Sequence, residues 1–176
     1  MDDLMTKKAS KPTPTTVLFV CLGNICRSPL AELAFALEAD RTGLSATTDS
    51  AGTGDWHVGR APDPRSRTEA RRHGHSIDHQ RARQVTAADF HRFDHIVALD
   101  WQNLADLRAM RPGGATATLS LLLDYVPGRE GEGVFDPYTG DASAFAETWD
   151  DVTAGARGLV AKLRADTQPS GYSASK

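Results

Sequence analysis

The residue types with the clearest chemical use are Cys21 and Arg27, which enclose the five residues Leu-Gly-Asn-Ile-Cys. The apolar run 17–20 before the cysteine has the character of a strand, and Ser28 and Pro29 after the arginine open a helical pattern. The N-terminus of a helix offers free N–H donors and partial positive charge, so a strand–loop–helix turn of this kind can bind a phosphate-sized anion. Because the same groups stabilise a thiolate, Cys21 is a candidate nucleophile, and the planar fork of Arg27 suits two oxyanion contacts.

A second candidate for this chemistry is the carboxyl group of Asp136, in the run Gly-Val-Phe-Asp-Pro-Tyr-Thr-Gly. A thiolate that attacks a phosphate ester needs an acid to protonate the departing oxygen, and general acid catalysis is worth about 10²–10⁴ in rate. Pro137 fixes the loop, and we expect Phe135 and Tyr138 to shield the carboxyl partly from water. Asp-Pro alone is also a common turn. Together with the Cys21 loop, it is interpreted as carrying the general acid.

The elements that must position these groups alternate between strand and helix. Strand-like runs lie at 16–20, 45–50, 95–99 and 116–121, and helical patterns lie at 29–41, 64–72, 102–110 and 145–163. This alternation predicts a single three-layer α/β domain, with a central four-stranded parallel sheet, helices on both faces and a phosphate-binding loop after the first strand. Sites in such folds lie at the carboxyl ends of strands, which is where Cys21 falls.

Composition narrows the class of protein. The chain has 176 residues, 40% of them hydrophobic, and a net charge of −3, which fits one soluble domain without the basic excess of a nucleic-acid-binding protein. Cys21 and Cys26 share one loop and cannot crosslink the fold, so reduced thiols and a cytoplasmic location are expected. No secretion leader or membrane-spanning run stands out. We expect disordered segments at 1–15 and 166–176 around a domain of 16–165, and a monomer.

The run from Val20 to Pro29, followed by Ala31 and Glu32, resembles the low-molecular-weight protein tyrosine phosphatases. The likeness continues in chain order through 49–53, 55–60, 63–65, 73–74, 81–85, 99–103 and 136–138, and it spans roughly residues 16–164. It implies a phosphatase that uses neither metal nor cofactor and acts on phosphotyrosine-containing proteins and small aryl phosphates.

The resemblance also implies a two-step mechanism. Cys21 would attack phosphorus and form a cysteinyl-phosphate, Arg27 would clamp the phosphate, and Asp136 would protonate the phenolic oxygen and then serve as base for the hydrolytic water. The implied phosphate-binding residues are Leu22, Gly23, Asn24, Ile25, Cys26, Arg27 and Ser28.

Four side chains receive supporting roles by the same resemblance. Asn24 would hold the strained shape of the loop, and the Ser28 hydroxyl would donate to the Cys21 thiolate, although Ser28 also suits a plain helix N-cap. Trp56 and Tyr138 would flank a phosphotyrosine ring, and aromatic stacking of this kind is worth roughly 0.5–1.5 kcal/mol beyond burial.

The sequence departs from the family pattern in two places. Thr139 stands where a second tyrosine is common, which leaves the chemistry untouched. Gln80 stands where a histidine is common, so either Gln80 or the neighbouring His79 is expected to support the phosphate loop. Two other tryptophans, Trp101 and Trp149, are predicted to be packing residues.

Cys26 most simply packs as a small buried residue. We hypothesise a second role, in which it captures oxidised Cys21 as a disulfide and protects it from irreversible oxidation.

Other functions stay open at this point. An arsenate reductase of the same fold would need further cysteines, and the chain has none after Cys26. A catalytically inactive phosphotyrosine-binding module would not need the acid Asp136. His73, His75 and His79 suggest a metal site, but their spacing gives no clean ligand geometry, so solvated loop histidines are expected.

Overall fold

The computed structural model describes residues 13–168 and places a four-stranded parallel sheet at their centre. The strands are β1 (Thr15–Cys21), β2 (Ala46–Gly52), β3 (His95–Ala98) and β4 (Thr118–Leu121), in the spatial order β2-β1-β3-β4. The helices are α1 (Arg27–Thr42), α2 (Pro64–Arg72), α3 (Asp89–Arg92), α4 (Trp101–Met110) and α5 (Ala142–Thr167), with a 3₁₀ turn at Leu122–Tyr125. The predicted α/β architecture is confirmed.

The central strand β1 is buried on both faces, which explains its unbroken apolar run. Val17 and Phe19 point into a core shared with α1 and α5, whereas Leu18 and Val20 point into a second core shared with α3 and α4. All four side chains are 0% exposed. Because β1 is held between β2 and β3, its last residue, Cys21, is fixed at the middle of the carboxyl edge of the sheet.

Some boundaries differ from the predicted ones. Helix α1 begins at Arg27, two residues before the predicted start, because the turn after the phosphate loop is already helical. It ends at Thr42, and the C-cap residue Gly43 has a φ of +73°, which suits a residue without a side chain. Helix α3 and the 3₁₀ turn were not predicted, since four residues are too few to show a helical period.

The two tryptophans predicted to pack behave differently. Trp149 is 8% exposed and lies in the core between α1 and α5, as predicted. The prediction for Trp101 was wrong, because its ring is 53% exposed and its Nε1 donates to the carbonyl of Gly131 at 2.6 Å. A single tryptophan at the start of a helix has no periodic context that would distinguish the two outcomes.

The predicted terminal segments fall largely outside the described residues. Residues 1–12 and 169–176, Tyr172 among them, lie outside that range. Helix α5 runs to Thr167 and so includes the first two residues of the segment 166–176. None of the helices in the described part of the chain is both long and apolar enough to span a bilayer.

A half-buried carboxyl lies between α1 and β2. Oε2 of Glu32 accepts a hydrogen bond from Oγ of Ser50 at 2.7 Å. Burial raises the pKa of Glu32 to about 7, and the hydrogen bond from Ser50 opposes this only in part. The folded chain therefore keeps this proton at a pH where an unfolded glutamate has lost it.

Because the folded chain binds this proton more tightly than the unfolded chain, the free energy of unfolding should depend on pH. Since the pKa of Glu32 is raised in the folded chain, its contribution to the free energy of unfolding is fully present below pH 4.5 and is lost as pH rises to about 7. The variant Glu32→Gln should therefore gain free energy of unfolding relative to the wild type over that interval, by up to roughly 3 kcal/mol. Urea unfolding at the two ends of the interval measures the difference, with Glu147→Gln on the exposed side of α5 as the matched control. A difference that does not change with pH would contradict the raised pKa.

Candidate active site

A cleft of about 170 Å³ opens at the carboxyl edge of the sheet. Its lining residues are Cys21, Leu22, Gly23, Ile25, Cys26, Arg27, Trp56, His57, Asp136 and Tyr138. The three predicted catalytic side chains, Cys21, Arg27 and Asp136, are thus brought together although the first and the last are 115 positions apart in the sequence. His57 also lines the cleft, and the sequence reasoning missed it because a lone loop histidine beside a tryptophan carries no pattern.

Two carbonyl groups at the start of the loop after β1 face the segment that follows β2. The carbonyls of Cys21 and Leu22 accept from the amides of Thr53 and Gly54, each at 2.9 Å. Within the described residues, the amides of 22–26 donate no hydrogen bond to protein groups. These N–H groups are left for an anion, which is the arrangement expected of a phosphate-binding loop.

Asn24 fixes the shape of this loop. Its φ of +56° is a left-handed conformation, and it is the one non-glycine residue with positive φ in the described part of the chain. Its Nδ2 donates to Oγ of Ser28 at 2.8 Å and to Oγ of Ser50 at 3.0 Å. Its Oδ1 accepts from the amide of Arg83 at 3.0 Å. The side chain, 3% exposed, therefore joins the loop to α1, β2 and the segment 82–85.

Gly52 at the end of β2 lets the loop approach this closely. A Cβ at that position would lie 2.7 Å from the carbonyl oxygen of Leu22 and 3.2 Å from the amide of Asn24. Any side chain there would push the loop out of place.

The thiol of Cys21 lies next to a buried side-chain hydroxyl. Its Sγ lies 3.0 Å from Oγ of Ser28, which is fully buried. Because Ser28 Oγ already accepts from Asn24, its own proton is free to point at the sulfur. The alternative interpretation of Ser28 as a helix N-cap was wrong, since the N-cap position of α1 is occupied by Cys26.

Arg27 is buried, 2% exposed, and hydrogen bonds hold one side of its guanidinium. Its Nη1 donates to Oδ2 of Asp100 at 2.6 Å and to the carbonyl of Val134 at 2.9 Å. Asp100 is fixed in turn, because its Oδ1 caps α4 by accepting from the amide of Asn103 at 2.8 Å. Within the described residues, Nε and Nη2 of Arg27 donate no hydrogen bond, so this edge of the guanidinium remains for an oxyanion.

The carboxyl of Asp136 also lines the cleft, beside the Arg27 guanidinium. Its Oδ2 is 3.6 Å from Nη2 of Arg27, and its Oδ1 accepts from the amide of Tyr138 at 3.1 Å. The side chain is 46% exposed. The expectation that Phe135 shields it was wrong, because Phe135 is 71% exposed and does not line the cleft.

Two aromatic side chains stand at the mouth of the cleft. Trp56 and Tyr138 are 67% and 52% exposed, too exposed for packing residues, and both line the cleft. The backbone under Tyr138 is held by Arg65, whose Nη2 donates to the Tyr138 carbonyl at 2.9 Å. A side chain at Gly54 would overlap the Trp56 indole, so the ring lies directly on that glycine.

Between the two candidates for support of the loop, the geometry favours Gln80. Its Nε2 donates to the carbonyl of Pro29 in the first turn of α1 at 3.3 Å, whereas His79 is exposed. His79 and His75 are both exposed, while His73 stacks on Trp149 with ring centroids 4.6 Å apart. The three histidines are thus not gathered into one site. No cluster of metal-binding side chains forms among residues 13–168.

Cys26 is buried, 5% exposed, on the cleft side of the loop. Burial, followed by the negative charge of Asp63, raises the pKa of its thiol to about 12. Cys26 therefore stays protonated at neutral pH.

Comparison with known proteins agrees with this geometry. Residues 16–169 match the model of the family described as low molecular weight phosphotyrosine protein phosphatase. A Schizosaccharomyces pombe protein of that name is 43% identical over 136 residues, which cover 76% of this chain and 86% of the relative. The Bacillus subtilis low molecular weight protein-tyrosine-phosphatase YfkJ is 42% identical over 156 residues, which cover 87% of this chain and 98% of the relative.

Solved structures give the same result. The crystal structure of YfkJ superposes with a TM-score of 0.83 at 39% identity, covering 90% of this chain and 99% of that one. The crystal structure of a Drosophila arginine phosphatase superposes with a TM-score of 0.79 at 30% identity, covering 88% and 99%. The family match begins in β1 and ends beyond α5, so it includes all the elements around the cleft. The chain therefore belongs to the low molecular weight phosphotyrosine protein phosphatase family.

Proposed function

We propose that this protein hydrolyses phosphotyrosine in proteins, and small aryl phosphates, through a cysteinyl-phosphate intermediate. The observation that carries the proposal is the meeting of the Cys21 thiol, the Arg27 guanidinium and the Asp136 carboxyl in one cleft walled by aromatic rings. Residues 16–165 form the phosphatase domain. Because the nucleophile must stay reduced, a cytoplasmic location suits it, and the chain acts as a monomer.

In the first step, Sγ of Cys21 attacks phosphorus and the bond to the phenolic oxygen breaks. The free amides of residues 22–26 and the Nε edge of Arg27 hold the equatorial oxygens, whose charge grows in the transition state. Ser28 stabilises the thiolate through its hydroxyl, which lies 3.0 Å from the sulfur.

Asp136 supplies the proton that the departing phenolate needs. Its half-exposed carboxyl lines the cleft and lies 3.6 Å from the guanidinium of Arg27. In the second step the same carboxylate takes a proton from the water that attacks the cysteinyl-phosphate, so the enzyme returns to its starting state.

The substrate class follows from the walls of the cleft. Trp56 and Tyr138 offer aromatic faces to an aryl ring, and both relatives described above are named as tyrosine phosphatases. One structural neighbour is named as an arginine phosphatase, so phosphoarginine is the second substrate to be compared. An arsenate reductase is disfavoured because no cysteine beyond Cys26 is present to carry oxidising equivalents away.

Hydrolysis of p-nitrophenyl phosphate, with chelator present at mildly acidic pH, tests the proposal. The freshly reduced wild type should be active, and Cys21→Ser should fall to the uncatalysed background because a serine hydroxyl stays protonated and is a far weaker nucleophile than a thiolate. Thermal unfolding confirms that the variant is folded. Phosphotyrosine and phosphoarginine are then compared directly. No activity in the reduced wild type would contradict the proposal and favour a binding module.

The role of Asp136 is tested by how the rate of its variant depends on the acidity of the phenol that leaves. Asp136→Asn should slow hydrolysis of esters of poorly acidic phenols by about 10²–10⁴, because no proton reaches the departing oxygen. Inhibition by inorganic phosphate should stay within about twofold of the wild type, since the loop amides and Arg27 are untouched. Glu130→Gln, an exposed change in the same segment of chain, is the matched control. Unchanged turnover at acidic pH would remove Asp136 from the mechanism.

We further propose that Cys26 protects the nucleophile. Peroxide converts the Cys21 thiolate to a sulfenic acid, and the Cys26 sulfur then displaces water from it to form a disulfide. Because the pKa of Cys26 is about 12, its thiolate is scarce at neutral pH and this capture is slow.

Mass spectrometry after mild peroxide tests this role. A Cys21–Cys26 disulfide should form, and should form faster as pH rises because more of Cys26 ionises. In Cys26→Ala, the same treatment should carry Cys21 on to sulfinic acid. Absence of the bridge at every pH would discard the protective role.

A further inference from the structure

A second concavity, which we call the side groove, adjoins the cleft. Its lining residues are Leu22, Thr53, Gly54, Trp56, Asp106, Ala109 and Met110, and its volume is about 320 Å³. Leu22 and Trp56 line both spaces. The groove is thus continuous with the cleft across a shared rim, and its far side is formed by the surface of α4.

The rim is built from exposed apolar side chains. Leu22 is 41% exposed and Trp56 is 67% exposed, and the Trp56 ring lies on the bare backbone of Gly54. A polypeptide whose phosphotyrosine ring occupies the cleft must cross this rim or the opposite one. Since an extended chain advances about 3.3–3.6 Å per residue, a side chain within about two residues of the phosphotyrosine reaches the groove.

The chemistry of the groove selects among side chains. Its walls are apolar at Trp56, Ala109 and Met110, and the one ionisable side chain in its lining is Asp106. Oδ1 of Asp106 accepts from Nε2 of Gln102 at 2.9 Å, and Oδ2 accepts no hydrogen bond within residues 13–168. An apolar stem that ends in a cation fits both features, because the stem covers the apolar wall and the cation meets the free carboxylate oxygen.

We propose that the side groove is a substrate subsite that binds a lysine or arginine side chain near the phosphotyrosine. This inference rests on the proposed function and names the class of phosphoprotein that the enzyme prefers. Asp106 is then a specificity-determining residue that takes no part in the chemistry, because it lies outside the cleft.

Phosphotyrosine peptides in an alanine background test the subsite. A single lysine, or a single glutamate, is placed at each of the two positions on either side of the phosphotyrosine. At one of these four positions, lysine should raise kcat/KM about two- to fivefold over alanine, which is the range of a partly exposed ion pair. Glutamate at the same position should lower kcat/KM. The gain should fall with added salt. Asp106→Asn should abolish the preference, and Asp106→Lys should reverse it in favour of glutamate.

Hydrolysis of p-nitrophenyl phosphate, which has no flanking residues, should be the same in wild type and both Asp106 variants. Asp150→Asn, an exposed change on α5, is the matched control and should keep the lysine preference. A wild type that hydrolyses p-nitrophenyl phosphate but ignores flanking charge, or an Asp106→Asn variant that keeps the preference, overturns the subsite alone. A wild type inactive on every substrate overturns the proposed function with it. A dimer that Asp106→Lys dissociates would assign the groove to a second copy of the chain and also overturn the proposal.

Discussion

Three hydrogen bonds of the Asn24 side chain hold together the parts of the molecule that form the cleft. They join the phosphate loop to Ser28 in α1, to Ser50 in β2 and to the amide of Arg83. The left-handed backbone of Asn24 is uncommon for residues other than glycine, and asparagine is one of the few that adopt it. Leaving its buried amide unpaired would cost about 1–3 kcal/mol, so the three bonds hold the side chain and the loop in this conformation. The position of the thiol, the free amides and the Ser28 hydroxyl all depend on this one side chain.

The charged groups around the cleft follow a second constraint, which is that a buried cation must be paired. Arg27 is buried and is paired with Asp100, and Arg83, which is only partly buried, is paired with both Asp49 and Asp89. Such pairs add little net stability, since desolvation opposes the attraction, but removal of one partner is costly. The effect of these pairs is to fix the positions of the arginine side chains. Asp100 holds one side of the Arg27 guanidinium and thereby leaves the other side for a phosphate.

The layered fold and the residues of the cleft could be predicted from sequence because their signals are local. Cys21 and Arg27 share one turn, and the strand and helix patterns have clear periods. The contacts that hold them could not be predicted in this way, because the partners of Arg27 lie 73 and 107 residues along the chain. The same limit explains the errors at Phe135 and Trp101, whose exposure depends on how distant loops meet. It also explains why the side groove, built from two loops and α4, left no pattern in the sequence.

The separation between Arg27 and Val134 has a consequence for how the protein reaches its active form. The turn that carries the thiol joins neighbouring elements, β1 and α1, whereas the segment that brings Asp136 closes a loop of more than a hundred residues. Local contacts form early during folding, and contacts of high sequence separation form late and slowly. A partly folded chain can therefore hold a formed anion loop before its acid arrives. We therefore expect recovery of catalysis during refolding to lag behind recovery of helix, because catalysis requires the entire tertiary structure.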